Sequence, residues 1–343
     1  MDGTIPGEIG LLLALNHLSL FNNNIQGELP VQTMYLTDLK FLAIEDNSIT
    51  GSLPDWLAEL TSMKFMALGN NQLTGSINDS LTSLTGLSEL SLEGNKLEGD
   101  ISVLNKIPSL TRLFLGSNKF TGKIDQYFLE DLIELKELDL SSNQFTGTLP
   151  HHFYNFEILD LHDNDLEGPI PSTESTDYPI QYMLLHNNGF SGKLHNNIAN
   201  LESLTRLDVS NNELTGPMPE SISDMTQLEY LYLANNGWTT GEIPEWHNLT
   251  GMVELSLKGT NRIGPIPEFL GREMRELKLL SLDNNNLSGG IPEQLGHMKH
   301  IEYLLLNQND LTGTVPDTFK HMHRLSTLKL DHLIVLCTLN GCL

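Results

Sequence analysis

Apolar and polar positions along the chain repeat one short sentence. An alternating stretch, L-x-L, leads through two polar positions to an asparagine. Another apolar residue follows, then a glycine, then often an Ile-Pro pair. "LDVSNNELTGPMPESI", from Leu207 to Ile222, is one copy; "MLLHNNGFSGKLHNNI" and "LSLDNNNLSGGIPEQL" are others. The asparagine falls at Asn23, Asn47, Asn71, Asn95, Asn118, Asn143, Asn164, Asn188, Asn212, Asn236, Asn285 and Asn309. Spacing is mostly 24 residues, with departures of 21, 23 and 25. Between Asn236 and Asn285 the slot holds Thr260, with Asn261 beside it. With a last decayed copy at Leu328–Leu333, the pattern predicts about fourteen turns. A period of this length marks a solenoid, in which each coil buries its apolar face against the next.

Each constant position has a physical role. The L-x-L alternation predicts a strand whose side chains point in and out by turns. Leu207 and Val209 then lie under Leu231 and Leu233 of the next coil. An apolar residue three before the first leucine, as at Leu15, Leu39, Met63 and Leu87, closes the core. Each such burial contributes ~1.5–3 kcal/mol. The asparagine is the polar member of the interior, and its amide has donors and an acceptor to bridge neighbouring coils. The twelve asparagines therefore predict a hydrogen-bonded ladder, with Thr260 a weak rung unless Asn261 replaces it. Gly27, Gly51, Gly75 and Gly216 suit a turn with positive φ. Leucine pairs three apart, such as Leu57 and Leu60, predict short helical or 3-10 segments opposite the strands.

One solenoid is expected over residues 1–336, its first coil incomplete, with 337–343 a tail or partial cap. The interval from Asn143 to Asn164 is only 21 residues, and the next coil carries polar "STESTDYP". Residues 151–180 are accordingly expected to have the thinnest core.

The unit L-x-x-L-x-x-L-x-L-x-x-N-x-L-T-G-x-I-P resembles the plant-type leucine-rich repeat. "NELTGPMP", "NSITGSLP", "NQFTGTLP" and "NDLTGTVP" carry the likeness over nearly the whole chain. The resemblance implies an α/β solenoid: a right-handed superhelix with a parallel sheet on its concave face, a second short strand from the T-G-x-I-P segment, and short helical segments on the convex face. Receptor-kinase ectodomains, receptor-like proteins and polygalacturonase-inhibitor-like proteins share this repeat and work by binding, usually outside the cell. Cys337 and Cys342 are spaced unlike that family's usual cap. A disulfide between them and two free thiols are both open readings.

Composition narrows the partner. Nineteen basic residues face 44 acidic ones, a formal charge of −25. Nucleic acid, whose phosphates require a basic footprint, is excluded as a partner. A neutral or basic peptide or protein is favoured. No membrane span is expected, since the apolar run "LIVLCTL" is far short of the ~20 residues required.

Variable outward strand positions are where specificity can be written. Phe114, Asp139, Asp160, Tyr182, Arg206, Asp208, Tyr230 and Tyr232 mix rings with charge, the composition of an interface centre. The alternative is a solvated acidic face with scattered rings. Phe21, Phe41 and Phe65 present rings nearer the N-terminus. His162 and His186 recur at equivalent positions beside Asp160 and Asp163, as a metal or pH-responsive pair or as stacked surface histidines. His297 and His321 also recur, with His300 and His323 nearby. Asn78, Asn248 and Asn286 begin N-glycosylation sequons.

No phosphate loop is present, and a regular sheet has no enclosed pocket to tune a carboxylate pair. The chain is therefore read as a non-catalytic, cofactor-free, monomeric binding module of the extracellular space or cell surface. A cytoplasmic or structural scaffold is the alternative, and adsorption to ice or polysaccharide a lesser one.

Overall fold

The computed structural model describes residues 2–331, 337–338 and 341–342, and comprises two compact units, Met1–Leu166 and Glu167–Leu343. In the first unit each coil contributes one three-residue strand, from His17–Ser19 through Phe41–Ala43 and Phe65–Ala67 to Ile158–Asp160. Successive strands pair in parallel with Leu18 beside Leu42, Leu42 beside Met66 and Leu138 beside Leu159. The middle residue of each of these first-unit strands is buried because its side chain points to the interior. Five-residue 3-10 helices, among them Val31–Tyr35 and Asp55–Glu59, run along the opposite side. Pro30 and Pro54 precede these two, where a missing N–H costs nothing.

A second set of short strands follows the asparagines, as in Asn24–Gly27 and Lys96–Gly99. In Lys119–Ile124 and Gln144–Thr148 the strand runs through the T-G segment expected to form it, whereas the shorter ones reach only as far as its glycine. The shorter strands stop at glycines such as Gly27, whose φ of +83° turns the chain out of the extended region. The residue just before the asparagine is left-handed as well, at φ between 51° and 56° for Asn22, Asp46, Asn70, Ser117, Ser142 and Asp163. Asparagine and aspartate tolerate that conformation better than other side chains.

The asparagines hold the coils together. Asn71 donates to Leu68 O and Gly69 O within its own turn, and to Ile44 O of the preceding coil at 3.0 Å. Its Oδ1 accepts the N–H of Ile49, also in the preceding coil, at 2.8 Å. Asn47, Asn95, Asn118, Asn143 and Asn164 repeat this arrangement in the first unit, and Asn212, Asn236, Asn285 and Asn309 in the second. Asn23 and Asn188 donate to carbonyls of their own turns.

The short coil does not have the thin core expected of it. Phe153, Tyr154 and Phe156 are buried there. The Phe153 ring meets Phe156 at 5.2 Å and Phe128 edge-on at 6.3 Å. Three large rings replace the volume that three missing residues would have supplied. In the second unit the polar stretch after Pro171 is likewise tied in. Thr173 is buried and donates to Asn197 O, while Asn200 donates to Thr173 O.

The second unit repeats the strand pattern from Tyr182–Leu184 through Arg206–Asp208 and Tyr230–Tyr232 to Thr327–Lys329. Its interior includes Trp238 and Trp246, whose indole N–H groups donate to Leu233 O and Pro219 O. The departure at Thr260 is repaired by three residues. Thr260 Oγ1 donates to Leu257 O, and Asn261 donates to Trp238 O rather than entering the ladder. Arg262 is buried, donating to Thr260 O, Glu242 O and Thr239 O. Among the described residues no carboxylate pairs with it, and burial pulls its pKa below the usual guanidinium value. A buried cation is tolerated here because its forked donors meet backbone carbonyls left by a gap in the second strand set.

In the first unit, His162 Nδ1 lies 2.5 Å from Asp160 Oδ1. That hydrogen bond, more than the opposing effect of burial, raises the His162 pKa above its ordinary 6.5.

Three outcomes are expected. Asn71→Ala lowers stability by at least ~1–3 kcal/mol through partners left unsatisfied in two coils, read as a fall in urea midpoint; a change within error would remove the ladder as a source of stability. Arg262→Lys lowers the melting temperature, because one ammonium cannot serve three divergent carbonyls; an unchanged melt would contradict that role. The stability supplied by charged His162 is complete below the unfolded imidazole pKa and is lost as pH rises through the higher folded value. His162→Gln should therefore lower the urea midpoint more at about pH 5.5 than at about pH 9, and equal losses would show that its charge contributes nothing.

Candidate functional site

The strand face of the second unit carries one connected group of aromatic and charged side chains. Register places Tyr182 beside Arg206, Arg206 beside Tyr230, and Tyr230 beside Glu254. The next position runs Leu184, Asp208, Tyr232 and Ser256. In-register parallel strands bring such residues to within ~4.8 Å of strand separation, so long side chains must touch. The Arg206 guanidinium sits 5.2 Å from the Tyr230 ring centroid and 5.4 Å from that of Tyr232, within cation–π range. Tyr232 donates its hydroxyl to Glu254 at 2.5 Å. Burial, then that hydrogen bond, pushes the Tyr232 phenol well above its ordinary pKa, so it remains a donor. Tyr182, 38% exposed, and Tyr303, 44% exposed, offer rings in the same column.

Asp208 departs from the open charge expected for it. It is 8% exposed and accepts from Ser210 N and Ser210 Oγ, with His186 Nδ1 at 3.4 Å from its other oxygen. The serine two residues on folds back over the carboxylate, which cannot then face a cationic ligand directly. Glu254 takes that place as the more accessible carboxylate, and Tyr303 adds a ring. Both stand in the outward column, but neither lies in the cluster of mixed chemistry by which the sequence drew attention to the site.

Phe114, Asp139 and Asp160 belong to the first unit, where they are adjacent in register. Asp139 is pushed up by burial, against the hydrogen bonds it accepts from Ser141. Asp160 is held by His162. Beside them Arg112 bridges Glu89 at 3.0 Å and Glu137 at 3.1 Å. Nearer the N-terminus His17, Phe41 and Phe65 stack face to face, at 4.0 Å and 4.3 Å between centroids, whereas Phe21 is 54% exposed. Stacking shields the two inner rings, so they are half-buried rather than open as expected.

His162 and His186 each face a carboxylate of their own unit. Among the described residues no group of three or more His, Cys, Asp or Glu side chains converges as a metal site requires. Asn248 and Asn286 are exposed, but Asn78 is occupied, donating to Leu53 O and Asp55 and accepting from Ser80 N. The side chains of Cys337 and Cys342, and with them the disulfide expectation, lie outside the described residues. No helix among the described residues is long and apolar enough to cross a membrane.

Comparison with solved structures places this architecture. The Arabidopsis receptor kinase HAESA, crystallised with the peptide hormone IDA and the co-receptor SERK1, is 29% identical, with a TM-score of 0.83 over 96% of this chain and 56% of that one. A TDR receptor is 31% identical, with a TM-score of 0.81 over 98% of this chain and 58% of that one. PEPR1–AtPEP1 is 27% identical, with a TM-score of 0.82 over 96% and 51%. The chain thus spans between half and three fifths of the length of these structures. No curated protein sequence matches it. The leucine rich repeat family matches residues 37–97, 108–166, 180–237 and 275–332, well over half of the chain. This chain belongs to the leucine rich repeat family and is of the plant type.

Proposed function

We propose that the chain is a non-catalytic recognition module that binds a peptide or protein segment through the strand face of residues 167–343, outside the cell or at its surface. The observation that carries this reading is the clasp of Arg206 against Tyr230 and Tyr232, locked by the Tyr232–Glu254 hydrogen bond. Rigid aromatic groups already held in place lose little conformational freedom when a ligand arrives. Tyr182 and Tyr303 extend the aromatic surface along the column. Tyr182, Tyr230 and Tyr232 act as anchors, Arg206 sets the orientation of the two rings it touches, and Asp208 stands beside Tyr232 in register.

The solved structures support a peptide ligand, because two of those most similar in fold are of receptors with peptide partners: HAESA with IDA, and RGFR1 with RGF2. The net charge of −25 favours a neutral or basic ligand over an acidic one. The proposed module acts as a monomer, its recognition face needing no second copy.

A displayed library of random peptides provides the test. Selected binders should be neutral or basic, and Tyr230→Ala or Tyr232→Ala should each weaken them by ~2 kcal/mol, about thirtyfold in Kd. Binders indifferent to Tyr182→Ala, Tyr230→Ala and Tyr232→Ala would overturn the assignment of this face.

A further inference from the structure

On the helical side of the second unit, a cavity of about 510 Å³ is lined by Arg275, Glu276, Gly296, His297, Lys299, His300 and His321. Three consecutive coils supply it. Arg275 and Glu276 follow the helix Phe269–Glu273, His297 ends the 3-10 helix Glu293–His297 with Lys299 and His300 after it, and His321 ends Asp317–His321. The 24-residue period stacks like positions, so Arg275, Lys299 and His323 form one basic row, and His300 and Arg324 follow Glu276 in the next. At the floor, an added Cβ on Gly296 would meet Thr318 Oγ1 at 2.4 Å. The two 3-10 turns are therefore packed as closely as their backbones allow.

The charge here is unlike that of the rest of the chain. Residues 272–329 contain seven of the 19 Lys and Arg but only seven of the 44 Asp and Glu, before any histidine is counted. Among the described residues the cavity's one ion pair joins His300 to Glu276 at 3.8 Å, and Arg275 donates its Nε to the carbonyl of Arg272. Neither Arg275 nor Lys299 has a carboxylate partner there. Two permanent cations and three imidazoles thus surround a concavity of ligand size in a strongly acidic protein. A basic hollow of this kind draws in anions, because clustered charge of one sign raises the local concentration of counter-ions.

We propose that this cavity is a binding site for a small molecule bearing a tetrahedral oxyanion, a phosphate or sulfate ester on a body about the size of a sugar ring. Arg275 supplies a planar fork suited to two oxygens, Lys299 a point charge, and the histidines further donors. The volume exceeds what a bare oxyanion fills, so the carrier contributes contacts of its own. The site lies on the side opposite the strand face and does not depend on the peptide-binding reading.

The test is calorimetric titration of the full chain with glucose 6-phosphate, glucose 6-sulfate, inorganic phosphate, inorganic sulfate and glucose. At least one ester should bind, about tenfold or more tighter than its parent ion, with glucose silent; which ester wins identifies the oxyanion. Lys299→Gln and Arg275→Gln, both at exposed positions, should each weaken binding about tenfold while leaving the thermal melt unchanged. Tyr230→Ala should leave ester binding intact. Absence of binding by both esters, or binding unaffected by Lys299→Gln and Arg275→Gln, would overturn the proposal. If both variants disturb the melt, charge-retaining Lys299→Arg decides: a site built on charge keeps its ester, and a loss as large as that of Lys299→Gln rejects it.

Discussion

A single amide, repeated every two dozen residues, decides most of what this chain can be. Among the described residues, ten of the twelve ladder asparagines donate to the turn they belong to and to the coil before it, and accept from that coil as well. Leucine burial supplies much of the favourable free energy, but it is non-directional and would tolerate slippage between coils. The asparagine does not tolerate it, because a displaced rung leaves buried carbonyls and N–H groups without partners. Strand register follows from this, and so do the columns of outward side chains on which any binding face is built.

The clasp on the strand face is a consequence of that register. Arg206, Tyr230 and Tyr232 are distant enough in sequence to vary separately, yet stacking sets them side by side. The guanidinium takes up the space between two rings, and Glu254 fixes the second ring from the following coil. The helical side follows the same rule, since residues one period apart build the basic hollow around Lys299. One repeat thus exposes two surfaces of opposite character, an aromatic face on the strands and a cationic concavity behind them.

Much of the architecture was legible in the residues, because a period repeated many times turns local composition into position. The strands, the inward leucines and the turn glycines all follow from it. What escaped depends on contacts that periodicity does not encode. Asp208 counts as an outward charge in the column, but Ser210 bends over it, a local hydrogen bond invisible to spacing. Phe153 and Phe156 stand where Leu57 and Leu60 stand in another coil, three and six residues after the proline, but spacing does not show that their larger rings, with Tyr154, make good the shortened length. Arg262 is not legible either, because a lone arginine beside an irregular rung gives no sign that it will be buried against carbonyls. The left-handed residue before each asparagine was visible as a preference for Asn, Asp, Ser and Gly, yet it was masked by the general abundance of asparagine.

The shortened coil between Asn143 and Asn164 has a bearing on how such a chain can change over generations. Its three absent residues were taken from the helical side, and the rungs on either flank kept their partners. Insertions and deletions there alter only the padding of a coil, and larger aromatic groups can make good the lost bulk. On the strand side the smallest change that preserves every bridge is the gain or loss of an entire period. Evolution of the reading surface must then proceed by substitution within a fixed grid or by duplication of whole coils, whereas the back of the molecule is free to be trimmed and refilled.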